Sequence, residues 1–271
     1  VQHLEGGIVS AILVENGSWV EKDQILMTLD SARYRADREI ILGRLHNVMA
    51  LTSRLRAERA RLSQIKFPQQ LIDGAQTDRR ASEAMANEKS RFEARQAGLD
   101  GEMTVLKTQQ RGLEAVAESK RVVAESISTE LSDLAALLTA GYVDKQRLRE
   151  LQRSKSRLLG EITDLEVAID EVNLKIIQLD KNFQTAVLDE LSRSQEKLND
   201  LHEEYMAAED RIDRAEVRAP VAGSIMNLDL NTIGAVIKPG QELMAIVPAP
   251  DDLIVEVRIS PMDIDRVAVG Q

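Results

Sequence analysis

The sequence predicts an α+β protein: a small β-sandwich built from the two ends of the chain, with a long α-helical coiled-coil hairpin inserted between them. Three observations predict it. Of the six prolines in the 271 residues, residues 31–212 hold one, Pro68, and residues 213–271 hold the other five. An interior proline costs a helix about 3 kcal/mol, so the middle of the chain reads as helix and the ends do not. Aromatic residues make up 3% and charged residues 30%, which suits narrow Leu and Ile seams under a large wet surface better than a thick core. Finally, the two ends repeat each other.

The repeat defines the β elements. Gly7-Ile8-Val9 is matched by Gly223-Ser224-Ile225, and from Gly17 and Gly234 onward the copies align without gaps at an offset of 217 residues. Val20 matches Ile237, Gln24 matches Gln241, Leu26-Met27 matches Leu243-Met244, and Leu29 matches Ile246. Each copy is a few short strands with Gly turns, too small to bury a core alone, so the two must pack together. Asp23 stands where the second copy has Gly240; a turn needing φ > 0 accepts Asp less comfortably than Gly.

The helices follow from period. From Leu158 the apolar positions Ile162, Leu165, Ile169, Val172, Ile176, Leu179 and Phe183 step 4, 3, 4, 3, 4, 3, 4, a heptad seam. It slips through Val187 to Leu191 and resumes at Leu198, Leu201, Tyr205 and Ile212. A second seam runs Phe92, Leu99, Met103, Leu106, Leu113, Val116, Val123, Ile127, Leu131, Leu134, Leu138, and a shorter third runs Ile41, Leu45, Val48, Leu55, Leu62, Ile65. Phe67-Pro68 ends the first helix, and the poorly periodic stretch to about residue 84 reads as containing a loop. Gly141 suits a helix C′ position and Asp144 an N-cap, which reads as a tight turn between two antiparallel helices, the alternative being a kink in one continuous helix. At about 1.5 Å per residue, 144–212 spans roughly 100 Å and 31–138 roughly 160 Å. The outgoing arm must therefore double back, giving three helices, about 31–66, 85–138 and 144–212, with the tip at 139–143.

Composition removes several function classes. The chain carries 35 basic and 45 acidic residues, a net charge of −10, which argues against a nucleic-acid surface. The absence of Cys excludes disulfides, thiolate metal sites and a Cys nucleophile. No apolar run reaches membrane-spanning length. His3, His46 and His202 lie in three segments without ligand spacing, the latter two expected on helix surfaces. The pairs Glu203-Glu204 and Asp251-Asp252 diverge, and no phosphate-binding loop follows Gly6-Gly7. No enzymatic activity, cofactor or metal is expected.

Several stretches resemble a known family. The half-motifs are similar to biotinyl/lipoyl carrier domains split by a helical hairpin. Val1-Gln2-His3-Leu4-Glu5-Gly6-Gly7-Ile8-Val9, Arg218-Ala219-Pro220-Val221-Ala222-Gly223 and Val236-Ile237-Lys238-Pro239-Gly240, followed by Ile246-Val247-Pro248, resemble the HlyD-type membrane fusion proteins, the periplasmic adaptors of bacterial type I secretion systems. The run from Gly141-Tyr142-Val143-Asp144-Lys145 to Gly160-Glu161-Ile162 fits the same branch. The resemblance implies a split lipoyl domain (1–30 and 213–250), an α-helical hairpin domain (31–212) and the start of a β-barrel domain (251–271). It also implies an excised fragment whose parent is anchored in the inner membrane and works in the periplasm. A true carrier is not expected, because Arg33 falls about where the modified Lys would stand and a guanidinium is not acylated there.

The implied partners are an inner-membrane ABC transporter, an outer-membrane TolC-like channel and a secreted polypeptide, with six copies assembling into a conduit. The alternative within the family is a drug or small-molecule efflux adaptor. The resemblance places the channel contact at the hairpin tip: Asp133, Leu137, Gly141, Tyr142, Val143, Asp144 and Lys145. Only Leu137 keeps the residue type of the efflux relatives' tip pattern; Asp133 and Asp144 stand at its Arg and Ser positions.

Overall fold

The structure is a computed structural model, and it describes residues 1–139, 144–228 and 232–248. The chain divides into two units, Val1–Ile41 with Glu203–Gln271, and Leu42–His202. The expected partial barrel at 251–271 lies outside the described residues.

The first unit is the sandwich. Strands β1 (Gly7–Ile12), β2 (Trp19–Val20) and β3 (Ile25–Leu29) come from the first copy of the repeat. Strands β5 (Gly223–Met226), β6 (Val236–Ile237) and β7 (Ala245–Val247) come from the second, and β4 (Glu216–Arg218) precedes it. One antiparallel sheet has the order β4-β3-β1-β6 and the other β2-β5-β7. Each copy therefore gives its two-residue strand to the sheet of the other. The exchange is symmetric in its hydrogen bonds. Gly17 N–H donates to the Ile225 carbonyl at 2.8 Å, and Gly234 N–H to the Val9 carbonyl at 2.8 Å. Ile225 N–H reaches Ser18 at 2.9 Å, and Val9 N–H reaches Ala235 at 2.9 Å. Between the sheets lies one apolar core, including Val9, Val20, Leu26 and Met27 from one end of the chain and Ile225, Ile237, Leu243 and Met244 from the other.

The matched glutamines lock matched turns. Gln24 Oε1 accepts from Glu21 N–H at 2.9 Å, and Gln241 Oε1 from Lys238 N–H at 2.9 Å. The residue before each glutamine is left-handed, Asp23 at φ 66° and Gly240 at φ 73°. Gly6, at φ 70°, is also required by space, since a Cβ there would fall 2.3 Å from the Ile237 carbonyl oxygen.

The second unit is helical. The helices are α1 (Ala32–Arg59), α2 (Gln69–Thr77), α3 (Arg79–Thr139) and α4 (Lys145–Arg214). Three boundaries differ from the expectation, each for a local reason. The helix expected over 31–66 stops at Arg59. Leu62 N–H bonds back to the Ala57 carbonyl at 3.0 Å and Arg61 N–H to the Glu58 carbonyl at 3.1 Å, the paired bonds of a Schellman cap. The C′ residue is Arg61 at φ 51°, and its guanidinium is held at 2.6 and 2.7 Å by the Asp180 carboxylate. An arginine at C′ carries none of the sequence signal a glycine would.

The segment expected to contain a loop holds the short helix α2. The Pro68 carbonyl accepts the Leu71 and Ile72 N–H groups at 3.0 and 3.2 Å. Gly74 lets α2 sit on α1, because a Cβ there would lie 2.9 Å from His46 Nε2. α3 also begins six residues ahead of the expected 85. Asp78 N–H closes α2 on the Gly74 carbonyl at 2.8 Å, while its Oδ1 accepts from Arg80 N–H at 2.9 Å. One residue thus ends one helix and caps the next.

Between Gly43 and Glu58, α1 is buried on nearly every side. His46, expected on a helix surface, is 3% exposed; α2 covers it, with Asp78 Oδ2 3.8 Å from its Nδ1. Thr52 and Ser53 are tolerated inside because their hydroxyls donate to the Val48 and Met49 carbonyls, each at 2.7 Å. Thr52 also bonds Ser194 of α4. Arg54, 2% exposed, ties three helices together. Its Nη1 reaches Glu58 at 2.6 Å, its Nε reaches Glu88 of α3 at 2.6 Å and its Nη2 reaches Glu190 of α4 at 3.0 Å. Burial alone would lower its pKa, but the hydrogen bonds to Glu58 and Glu88 outweigh that and hold it above the ordinary arginine value.

Candidate functional site

The candidate site is the far end of the α3–α4 hairpin, and the seam between these helices builds it. On α4 the heptad residues of the sequence are buried or half-buried throughout, from Leu158 to Leu201 and Tyr205, and so are Leu148 and Leu151 ahead of them. The intervening Val167, Leu174 and Ile177 are 55%, 65% and 62% exposed. On α3 the seam departs from the expected one in the middle. Val116 and Val123 are exposed, and Ala117 and Ala124 are buried instead. Stepping 4, 3, 4 from Leu113 leads to Ala117, Lys120 and Ala124, so the heptad holds and the larger valines lie beside it.

Cross-helix ion pairs run antiparallel: Arg95 meets Glu190, Arg121 meets Glu166, Lys120 meets Glu161 and Arg147 meets Glu130. Hydrogen bonding to Lys120 holds the Glu161 carboxyl below its ordinary range, and hydrogen bonding to Glu166 holds Arg121 above its own. At exposed positions such pairs add little stability individually, but they set the direction and level of pairing.

At the tip, Asp133 and Leu137 lie one turn apart on α3 and both are exposed, Leu137 by 46%. Leu131, Leu134 and Leu138 of α3, with Leu148 and Leu151 of α4, are half-buried or buried, so the seam continues almost to the end. Asp144 precedes α4, and its Oδ1 accepts from Gln146 N–H at 3.2 Å, the N-cap arrangement. Lys145 opens α4 and is exposed. Gly141, Tyr142 and Val143 lie outside the described residues. The structure thus brings Asp133 and Leu137 to one helix end and Asp144 and Lys145 to the other. Around them stand acids Glu130 and Glu150 and bases Arg147, Arg149 and Arg153, a mixed-charge surface with one exposed leucine.

Among the described residues, no cluster of His, Asp and Glu could hold a metal ion. His3 is buried in the sandwich unit, where its Nε2 donates to the Arg214 carbonyl at 3.0 Å. His202 is exposed on α4. Arg33 stands exposed in the first turn of α1. No helix is long and apolar enough to cross a membrane among these residues.

Comparison with known proteins gives this geometry a family. The model described as AprE, long alpha-helical hairpin, matches residues 34–211. The type I secretion system membrane fusion protein PrsE of Rhizobium meliloti (strain 1021) is 33% identical over 293 residues, covering 100% of this chain and 65% of the relative. The alkaline protease secretion protein AprE of Pseudomonas aeruginosa is 28% identical over 284 residues, covering 100% and 66%. The chain therefore spans about two-thirds of the length of these relatives. The crystal structure of the soluble domain of LipC, a membrane fusion protein of a type I secretion system, shares the fold. Its TM-score is 0.67 at 23% identity, over 92% of this chain and 98% of LipC. By the match over most of its length, this chain belongs to the AprE family of long α-helical hairpins, the HlyD-type membrane fusion proteins that its motifs resemble.

Proposed function

We propose that this chain is the periplasmic adaptor of a type I secretion system. It would bridge an inner-membrane ABC transporter and an outer-membrane TolC-like channel during export of a polypeptide. The observation that carries the reading is the hairpin itself. α3 and α4, with 61 and 70 residues, correspond to about 90 and 105 Å of continuous helix. They are paired by a seam that runs almost to a polar tip. Such a rod suits a part that reaches across a compartment and docks end-on. Names of the relatives support the secretion branch, and so does the extra α1–α2 segment, where an efflux adaptor would need only a simple hairpin. The role is mechanical: copies of the chain, six by family likeness, would line a conduit, and the partner transporter would supply the energy.

The tip residues Asp133, Leu137, Gly141, Tyr142, Val143, Asp144 and Lys145 are the proposed channel contact. The test is secretion by the full-length protein with its own transporter and channel after combining Asp144→Lys with Leu137→Ser. Secretion should be lost while far-UV circular dichroism and expression stay unchanged. Asp144→Asn keeps a capping oxygen and separates loss of charge from loss of the cap. Normal secretion by the double variant would remove the tip from the mechanism.

A further inference from the structure

One cavity of the helical unit differs from the rest of this acidic chain in its charge. It is a cleft of about 270 Å3, open to solvent on the side of Arg56 and His202, between α1, the start of α2 and α4. Leu45, Met49 and Leu198 form its apolar floor, and the buried Thr52 and Ser53 present hydroxyls already committed to backbone carbonyls. Its charged and titratable lining is Arg56 and His202, with the amides of Gln70 and Asn199 beside them. No carboxylate lines it, in a chain with 45 acids against 35 bases.

Arg56 also stands apart from its neighbours. Arg54 is held by three carboxylates and Arg61 by Asp180. Among the described residues Arg56 has no carboxylate partner, and the positions three and four residues away on α1 are Ser53, Thr52, Arg59 and Ala60. The usual helical ion pair is therefore closed to it.

We propose that this cavity is a binding site for a small organic anion: a carboxylate met by Arg56, with a short apolar body against Leu45, Met49 and Leu198. The guanidinium fork matches a carboxylate in two parallel hydrogen bonds. The volume sets the size. A cavity of about 150 Å3 takes benzene, so this cleft of about 270 Å3 has room for up to about eleven heavy atoms, and hexanoate, with eight, fits. The site is independent of the hairpin tip and of the secretion reading.

The test uses the whole chain, methyl-labelled for NMR, titrated to about 20 mM with hexanoate and, separately, with hexylammonium. Hexanoate should shift the methyl signals of Leu45, Met49 and Leu198 saturably. Hexylammonium should bind at least about tenfold more weakly. Arg56→Glu, at an exposed position, should weaken hexanoate by about the same factor with the spectrum otherwise unchanged, and Arg56→Lys should retain part of the binding. Leu198→Trp, which fills the floor and leaves Arg56 in place, should abolish it. Absence of a saturable shift, equal affinity for the two probes, or unchanged binding by Arg56→Glu would each overturn the proposal.

Discussion

Replacing Arg54 by Met should be among the most damaging single changes in the helical unit. The side chain is 2% exposed, and two of its partners, Glu58 and Glu88, are 3% and 10% exposed. Removing the guanidinium leaves those two carboxylates out of water with their main donor gone. Breaking a buried ion pair in this way costs about 3–5 kcal/mol. For a unit of this size each kcal/mol moves the melting temperature by about 2–4 °C, so the expected loss is about 6–20 °C. The assay is thermal and urea unfolding followed by far-UV circular dichroism, where the helices dominate the signal.

The companion variant is Arg54→Met with Glu58→Leu and Glu88→Leu. It removes the buried charges together and should recover to within about 1 kcal/mol of the parent, because an apolar trio of similar volume carries no desolvation cost. Glu190, 40% exposed, keeps Arg95 as a partner at 3.3 Å. A single variant that loses less than about 1 kcal/mol, or a triple variant as unstable as the single, would refute the account of the network as a mutually dependent buried set.

Two further outcomes are expected. Asp23→Gly should raise stability by about 0.5–1 kcal/mol and Asp23→Val should lower it by about 1–2 kcal/mol, because φ is 66° there. Equal urea midpoints for the two variants would show that the turn is unstrained. Asp78 should make the helical unit acid-sensitive. The hydrogen bond from the Arg80 side chain, aided by the Arg80 backbone N–H, holds its carboxyl below the ordinary value. The stability it supplies is present above the unfolded pKa of about 3.9 and is lost as pH falls through the lower folded value. In Asp78→Asn that acid-dependent part should be absent. Parallel stability curves for the two proteins from pH 5 down to about pH 2 would rule the linkage out.

How much of this was legible depended on whether the signal was periodic or local. The α4 seam was legible because Leu, Ile and Val fall on the heptad without competition. On α3, Val116 and Val123 outweigh Ala117 and Ala124 in hydropathy, so a reading by residue type chose the wrong neighbours. Only the spacing from Leu113 identifies the buried alanines. The end of α1 was hidden because its left-handed cap is Arg61, held by Asp180 from a distant helix, and no local rule anticipates that bond. α2 was hidden by Asp73-Gly74, which reads as a turn until His46 is seen to need the space. His46 reads as solvated on a helix with one apolar face, whereas α2 covers it at Gly74 and Asp78 stands beside its ring. At the tip, the cap at Asp144 was legible from one residue type before a helix. Which side chains meet a partner is a property of two surfaces, and one chain's sequence holds only one of them.

The exchange of short strands between the two halves of the sandwich dictates an order of assembly. The sheet around β1 is incomplete until β6 arrives, and the sheet around β5 needs β2 from the start of the chain. On a ribosome adding about 5–20 residues per second, the first half would wait roughly 10–40 s for its counterpart, with open strand edges in the meantime. Joining ends separated by some 200 residues of loose chain would cost about 4–5 kcal/mol in closure entropy. The helical unit removes most of that cost, since Leu45 and Met49 near its beginning share one cavity with Leu198 and His202 near its end. The α3–α4 hairpin can pair progressively from its turn, each further contact closing only a short additional loop, and its pairing shortens the distance the two halves must search. A change that loosens α1 against α4 should therefore surface as slower folding of strands that contain no altered residue, and refolding kinetics that leave those strands unaffected would refute it.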